Sequence, residues 1–277
     1  MIEDSGRWFL RTMARKGRLA TNKSQREVGD EVFRSKDTIL GWEKGKTDIP
    51  PGSISDLARA CGLSDEIRDY MKAVAKARRV GTSVEADMRF NALFLALAEE
   101  HSGYIFKFDA LLIPGPLQNK ECHFQVVRRA DPFALDESKD SGWAFKEERA
   151  ETIANRSDKP IMHFLIGEAA LHQVRRISEE LYHSQMAHLR QWARRRGVSI
   201  RILCEPVPAR LSGFDLYKEG GNPLACPPFV YTEIADSSWL INEPARIASY
   251  DDIHKILWKL AIRIEDYHDD DGRDRLA

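Results

Sequence analysis

Ser24-Gln25-Arg26-Glu27-Val28-Gly29-Asp30-Glu31-Val32, a break at Phe33-Arg34, then Ser35-Lys36-Asp37-Thr38-Ile39-Leu40-Gly41-Trp42-Glu43-Lys44-Gly45 is the stretch that decides the amino-terminal fold. Each half opens on a serine. Ser24 with Glu27 makes an S-x-x-E capping box, in which two backbone donors at a helix start are satisfied reciprocally. Ser35 caps a second helix in the same manner. Gly29 admits a close neighbour. Val28, Val32, Ile39 and Trp42 supply the contacts between the two helices. Gly45 is placed to end the second one in a left-handed conformation. The pattern predicts a helix-turn-helix, a shape that lays its second helix into the major groove of DNA. The competing reading is a helical hairpin that only packs.

Charge around this stretch agrees with a polyanionic partner. The chain has 277 residues, with 42 basic against 43 acidic and a formal net charge of −1. Up to residue 80 there are 17 basic and 12 acidic residues; beyond it there are 25 and 31. Between residues 7 and 46 the counts are 11 and 5, the cations being Arg7, Arg11, Arg15, Lys16, Arg18, Lys23, Arg26, Arg34, Lys36, Lys44 and Lys46. Such residues neutralise phosphates and make affinity salt dependent. A charge run alone is usually a solvated face; its coincidence with the helix pair gives it weight.

The same stretch resembles the Xre-type, lambda-repressor-like family. Ser24-Gln25, Val28-Gly29, Ser35, Thr38-Ile39, Trp42-Glu43 and Gly45 fit the family's T-Q-x-x-L-A and S-x-x-T-I-x-x-[IW]-E-x-G pattern. Pro50 and Ile54, Leu57, Ala58, Cys61 and Leu63 fit its continuation. Phe33 stands where the family usually has glycine, and a positive φ there costs a phenylalanine about 1–2 kcal/mol. The resemblance implies an all-α, five-helix domain over residues 1–80. Its first helix is expected near Gly6–Lys16, packing through Trp8, Phe9 and Met13. Its last opens at Ser64, with Asp65 and Glu66 where the helix dipole favours them. Val80-Gly81-Thr82-Ser83 reads as the link.

Residues 84–266 read as a mixed α/β domain. Helices are expected over Val84–Glu100, Asn119–Arg129, Phe145–Asn155, Ser178–Arg196 and Asp251–Ile264. Strands are expected at Tyr104–Asp109, Ile161–Ile166, Val198–Leu203, Phe214–Tyr217, Phe229–Ile234 and Trp239–Ile241. The continuous apolar run Ile161–Ile166 suits an interior strand. Residues 131–142 read as a loop, and 267–277 as a charged, disordered tail. Four landmarks, Leu112-Ile113-Pro114-Gly115-Pro116-Leu117-Gln118, Glu168-Ala169-Ala170-Leu171, Gly213-Phe214-Asp215-Leu216 and Tyr231-Thr232-Glu233, resemble in their order the uncharacterised carboxy-terminal domain of actinobacterial WhiJ-like regulators. That resemblance implies a sensor or partner-binding part and, in an antitoxin-like pairing, a small partner protein.

Catalytic signals are sparse. There is no G-x-S-x-G, G-x-x-x-x-G-K-[ST], H-E-x-x-H or G-x-G-x-x-G. No catalytic residue, metal ligand or cofactor is expected. His183 and His188 are five apart and fall on different helix faces. His163, in an apolar strand, reads as a core histidine. Glu168 reads as a helix-opening carboxylate and Glu233 as the partner of a local base. Phe106, Phe108, Trp143, Phe214, Tyr231 and Trp239 fit either core packing or one ligand pocket. Cys61, Cys122, Cys204 and Cys226 are scattered and suit reduced thiols of a cytoplasmic protein. No run reaches about 18 apolar residues, so no membrane helix is expected.

The function these readings predict is sequence-specific binding of a double-stranded DNA operator by a transcriptional regulator, expected as a homodimer on a near-palindrome. The DNA-binding set is Gln25, Arg26, Ser35, Lys36, Asp37, Thr38, Leu40, Gly41 and Lys44. Lys36 suits guanine O6/N7, Asp37 cytosine N4 and Thr38 a thymine methyl or a phosphate. Asp37 fits equally well as a helix-start charge with no base contact. Leu40 or Gly41 completes the groove-facing row, and Gln25 is placed to hold a phosphate. Glu43 is expected to make a buried salt link, on the family resemblance. Two other readings stay open: an antitoxin-like interaction protein, and an enzyme dependent on Glu168, Cys204 or Glu233.

Overall fold

The structure, a computed structural model, describes residues 4–80, 88–130, 136–206, 212–233 and 238–268. Between residues 4 and 80 the regular elements are helices: α1 Ser5–Ala20, α2 Gln25–Glu31, α3 Lys36–Glu43, α4 Ile54–Ala60 and α5 Asp65–Val80, with a 3-10 turn at Pro51–Ser53. Asp4 caps α1 by accepting from the Arg7 amide at 2.8 Å, and the helix runs on past Lys16. Ser24 forms the full capping box with Glu27, and Ser35 caps α3 through the Thr38 amide.

Helices α1 to α4 end alike. The amides of Lys23, Arg34, Lys46 and Leu63 reach back to the carbonyls of Arg18, Gly29, Gly41 and Ala58 at 2.8–3.2 Å. One residue before each donor takes a positive φ: Asn22 56°, Phe33 55°, Gly45 64° and Gly62 66°. This is the Schellman ending, which satisfies carbonyls that a helix terminus leaves open. It stops each helix sharply and lets four short helices turn within a small space.

The remaining elements mix helices with strands. In order they are α6 Met88–His101, β1 Tyr104–Asp109, the 3-10 turn Gly115–Leu117, α7 Lys120–Ala130, α8 Asp136–Ala154 and β2 Ile161–Gly167. Then follow α9 Glu168–Ile177, α10 Glu179–Ala193, β3 Val198–Leu203, β4 Phe214–Lys218, β5 Phe229–Glu233, β6 Ser238–Ile241, α11 Pro244–Leu260 and β7 Ile262–Arg263. The strands form one seven-stranded sheet ordered β6-β5-β4-β1-β2-β3-β7. β1, β2 and β3 are parallel, and β4, β5, β6 and β7 join antiparallel. Helical crossovers between the parallel strands cover the sheet, as that connection requires.

Period-two alternation splits the sheet's side chains between two layers. On one face Phe106, Phe108, Leu165, Phe214, Leu216 and Val230 pack under α11 with Leu257 and Trp258. On the other, Ile105, Met162, Phe164, Ile166, Ile200 and Phe229 belong to the larger core shared with the remaining helices. That core continues into the amino-terminal helices. Phe9 stacks on Phe94 with ring centroids 5.3 Å apart, Trp8 meets the same ring edge-on, and the Trp8 indole donates to the Leu224 carbonyl at 2.8 Å.

Several expectations need correction. The segment 131–142 is not all loop: 131–135 lie outside the described residues, and Asp136–Gly142 already belong to α8. The helix expected from Val84 is described from Met88, since 81–87 lie outside the described residues. Glu168 opens a helix, as expected of it, but that helix, α9, runs over Glu168–Ile177, where none was delimited. The closing helix starts earlier, at Pro244, whose fixed φ suits a first helical position. It also stops earlier: Ile262 leaves it and pairs with Ile202 at the sheet edge. Tyr267, assigned to the tail, is buried and donates to Glu168 at 3.0 Å. Residues 269–277 lie outside the described residues.

Candidate nucleic-acid interface

The α2–α3 pair is held close by the absence of a side chain. A Cβ built on Gly29 would lie 2.6 Å from the Arg34 carbonyl oxygen. Val28, Ile39 and Trp42 are buried between the helices. Glu43 is buried too, and links three helices. It accepts from Arg18 of α1 through both oxygens, at 2.5 and 2.9 Å, and from the Gln25 amide of α2 at 2.7 Å. The hydrogen bond to Glu43 raises the Arg18 pKa further above its ordinary value. The salt link expected of Glu43 is therefore present, and it fixes the angle between α1, α2 and α3.

With Ile39, Trp42 and Glu43 inward, α3 turns Lys36, Asp37, Leu40, Gly41 and Lys44 outward along one stripe, at the i, i+4 and i+8 spacing of a helix face. Lys36, Asp37 and Lys44 are exposed, and Leu40 and Gly41 half-buried. Arg26 is exposed near the start of α2. Three members of the expected set are engaged in structure instead. The Ser35 hydroxyl accepts from the Thr38 amide at 3.1 Å and lies 2.9 Å from the Thr38 hydroxyl, so both serve the cap. The Gln25 amide nitrogen is turned to Glu43.

Burial divides the cations that the sequence count lumped together. Arg7, Arg11 and Arg18 are buried. Arg7 pairs with Asp48 at 2.8 Å and Arg18 with Glu43. Lys16 pairs with Glu100 and Lys23 with Glu31. Arg26, Arg34, Lys36, Lys44 and Lys46 are exposed, and no carboxylate among the described residues pairs with them. Each sits on α2, in the turn, or at an end of α3. Phe33 projects from that same turn, 89% exposed.

The carboxy-terminal part holds groups that could do chemistry, and most are spoken for. His163 Nδ1 lies 3.1 Å from the Tyr104 hydroxyl and its ring stacks on Trp258 at 4.2 Å. Burial, with His254 and Arg201 nearby, lowers its pKa to about 4. His188 accepts from the Trp192 indole at 3.1 Å, while His183 lies 3.9 Å from Glu179, so the two do not converge. Glu233 accepts from the Tyr231 hydroxyl at 2.8 Å, not from the local base expected of it. Cys204 is half-buried just past β3. The six aromatics do not line one pocket: Phe106, Phe108 and Phe214 fill the layer under α11, and Trp143 stands apart near His123.

One buried cluster was missed from sequence. Lys107 of β1 pairs with Glu99 of α6 at 2.9 Å and with Asp215 of β4, and donates to the Tyr217 hydroxyl at 2.7 Å. Arg149 of α8 closes the group with two hydrogen bonds to Glu99, at 2.7 and 2.9 Å. The available signal was a lysine at an inward position of an otherwise apolar strand. Among the described residues no group of three His, Cys, Asp or Glu could hold a metal, and no helix is long and apolar enough to cross a membrane.

A helical amino-terminal part packed on a three-layer α/β unit defines the class of this protein. The chain belongs to the family described as Domain of unknown function (DUF5753), which matches residues 94–268. The match begins within α6 and ends beyond β7, so it takes in the whole sheet. No curated protein and no solved structure matches the chain.

Proposed function

We propose that this protein is a sequence-specific DNA-binding transcriptional regulator. In this reading residues 5–80 are a five-helix, lambda-repressor-like unit and α3 is its recognition helix. Residues 94–268 govern it through a small protein or ligand. The observation that carries the reading is the outward stripe of α3, in which Lys36 and Lys44, with Arg26, Arg34 and Lys46 beside it, are exposed cations that pair with no carboxylate among the described residues. Lys36 and Asp37, in its first turn, are the base-reading candidates, with Leu40 and Gly41 deeper along the row. Arg26, Arg34, Lys44 and Lys46 would hold phosphates on either side. A homodimer on a near-palindromic site is the matching assembly. Cytoplasmic action on DNA is the corresponding location.

Mobility-shift titration against the region upstream of the protein's own gene tests this. Lys36→Ala should weaken specific binding by about 1–3 kcal/mol and relax one base position. Lys44→Ala should weaken all sequences alike and lower the salt slope by about one. Specific binding unchanged by either substitution overturns the assignment.

A second reading is favoured by a different surface. Leu111 and Leu112 are exposed at the mouth of an apolar groove of about 460 Å³ that Val126, Val174 and Ile177 also line, with Arg129 and Arg176 beside them. In that reading the chain is an antitoxin-like interaction protein whose groove takes an apolar segment of a small partner. Loss of a stoichiometric companion on Leu112→Asp, with DNA affinity unchanged, supports it; retention of the companion argues against it.

A further inference from the structure

A second cleft, of about 560 Å³, lies between the Gly115–Leu117 turn, α8 and the end of α10. Lys146 lines it. Its ammonium donates to Gln118 Oε1 at 2.8 Å and lies 3.0 Å from His123 Nδ1. An ammonium carries three donors, and these contacts occupy two. No carboxylate among the described residues pairs with it. Burial, with Arg149 next in effect, lowers the pKa to about 8, which leaves the group largely charged at neutral pH. A cation withdrawn from water without a counter-ion is unfavourable. It is held here beside the Gln118 amide oxygen and the His123 ring, neither of which carries a negative charge to cancel its own.

On the far wall Arg195, exposed to solvent, stacks over the Trp192 ring at 4.4 Å, with no carboxylate partner among the described residues. His188, which also lines the cleft, accepts through Nε2 from the Trp192 indole, so Nδ1 is its donor nitrogen. Burial, and then Arg195, lowers the His188 pKa, so the ring is neutral. Trp143 and Pro116 give the cleft flat apolar surface. The other charged groups on its walls are Lys120, Glu147 and Glu151, all three exposed to solvent.

We propose that this cleft binds a small organic anion, its carboxylate or phosphate held by Lys146 and its planar body laid against Trp143. Gln118 and His123 act as positioning residues that aim the ammonium. The site stands whether or not α3 reads DNA, and its test contains none.

The test is calorimetric titration of the full chain with benzoate, phenyl phosphate and inorganic phosphate at pH 7. Saturable 1:1 binding of an aromatic anion is expected, with inorganic phosphate at least tenfold weaker because it lacks the body. The tighter of the two aromatic probes assigns carboxylate or phosphate. Lys146→Met, which keeps the stem, should weaken binding at least tenfold. Affinity should fall about tenfold per unit above pH 8, as Lys146 loses its proton. A measurement on the unaltered chain guards against a variant that fails to fold. Saturating benzoate or phenyl phosphate should protect Lys146 from acetylation by acetic anhydride, read by peptide mass mapping. Absence of saturable binding by all three probes, equal affinity in a folded Lys146→Met, or unprotected Lys146 at saturation overturns the proposal.

Discussion

Phe33 pays a conformational penalty that nothing around it offsets. Its φ is 55° and its ring lies almost wholly in solvent. The left-handed region costs a non-glycine residue about 1–2 kcal/mol, and glycine's greater unfolded entropy returns about 0.5–1 of that. Phe33→Gly should therefore stabilise the chain by up to about 1.5 kcal/mol in urea unfolding; a destabilised variant would mean that the ring has a partner in the free protein. Glu43 is the opposite case. It is buried, and bound by Arg18 and Gln25 at once. Glu43→Ala strands the Arg18 cation, and removing one member of a buried pair costs about 3–5 kcal/mol. Urea unfolding should show a loss of that order, and a loss under about 1 kcal/mol would place the pair in water. The strain at Phe33 was legible through the family resemblance, which puts a glycine at that turn position, and backbone sterics then set its cost. The burial of Arg7, Arg11 and Arg18 was not, since a count of charges along the chain carries no information on which side of α1 faces its neighbours.

The helix pair shows what spacing and caps convey. Ser24, Ser35 and Gly45 mark local backbone events: α2 and α3 start one residue after the serines, and α3 ends two residues before Gly45. Gly29 marks a contact between elements. A Cβ there would meet a carbonyl oxygen, which cannot rotate aside as a side chain could. Gly29→Ala should push α3 away from α2 at about 1–3 kcal/mol, the usual scale of overpacking. In the proposed DNA-binding reading it should also weaken operator binding by more than Lys44→Ala does, because it displaces the whole stripe. Full stability with a native thermal midpoint would show that the approach is looser than 2.6 Å implies. The strands were legible wherever burial on two faces made a continuous apolar run, as at Ile161–Ile166. Elements defined by partners were not. β7 is two residues long and exists only by pairing with β3. The first turns of α8 are polar and offer no periodic face. Helix α11 opens at Pro244, and its packed face begins at Ile247 and Tyr250, ahead of the Ile253 from which the closing helix was read.

At the scale of the molecule, the buried charges set an acid limit, and the core decides how the chain gives way. Burial pushes Glu99 up, but Arg149 and Lys107 outweigh it and hold its pKa at about 2. Its stabilising contribution is therefore complete above the ordinary value of 4.5 and is lost as pH falls toward 2. His163 acts in the same direction over an earlier window. The unfolded chain takes up its proton below 6.5, whereas the folded ring refuses it until about 4. Chemical denaturation at a series of pH values should show stability declining in two stages, the first below 6.5 and smaller in a folded His163→Phe variant, which keeps the lowered pKa values of His101, His188 and His254. The second prediction concerns cooperativity. Phe94 touches Trp8, Phe9 and Phe229, so a single ring joins the amino-terminal helices, α6 and the sheet. Packing shared in this way ties the two parts into one unfolding unit. Calorimetry of the unaltered chain should give one transition whose van't Hoff and calorimetric enthalpies agree. Phe94→Ala opens a cavity at the junction, worth about 3–5 kcal/mol, and removes the shared ring. It should lower the midpoint and separate the helical part from the α/β part into two transitions. Two transitions already present in the unaltered chain would show that the junction transmits little. In that case a ligand bound in the α/β part would have to reach α3 through a second chain or through the DNA, not through this core.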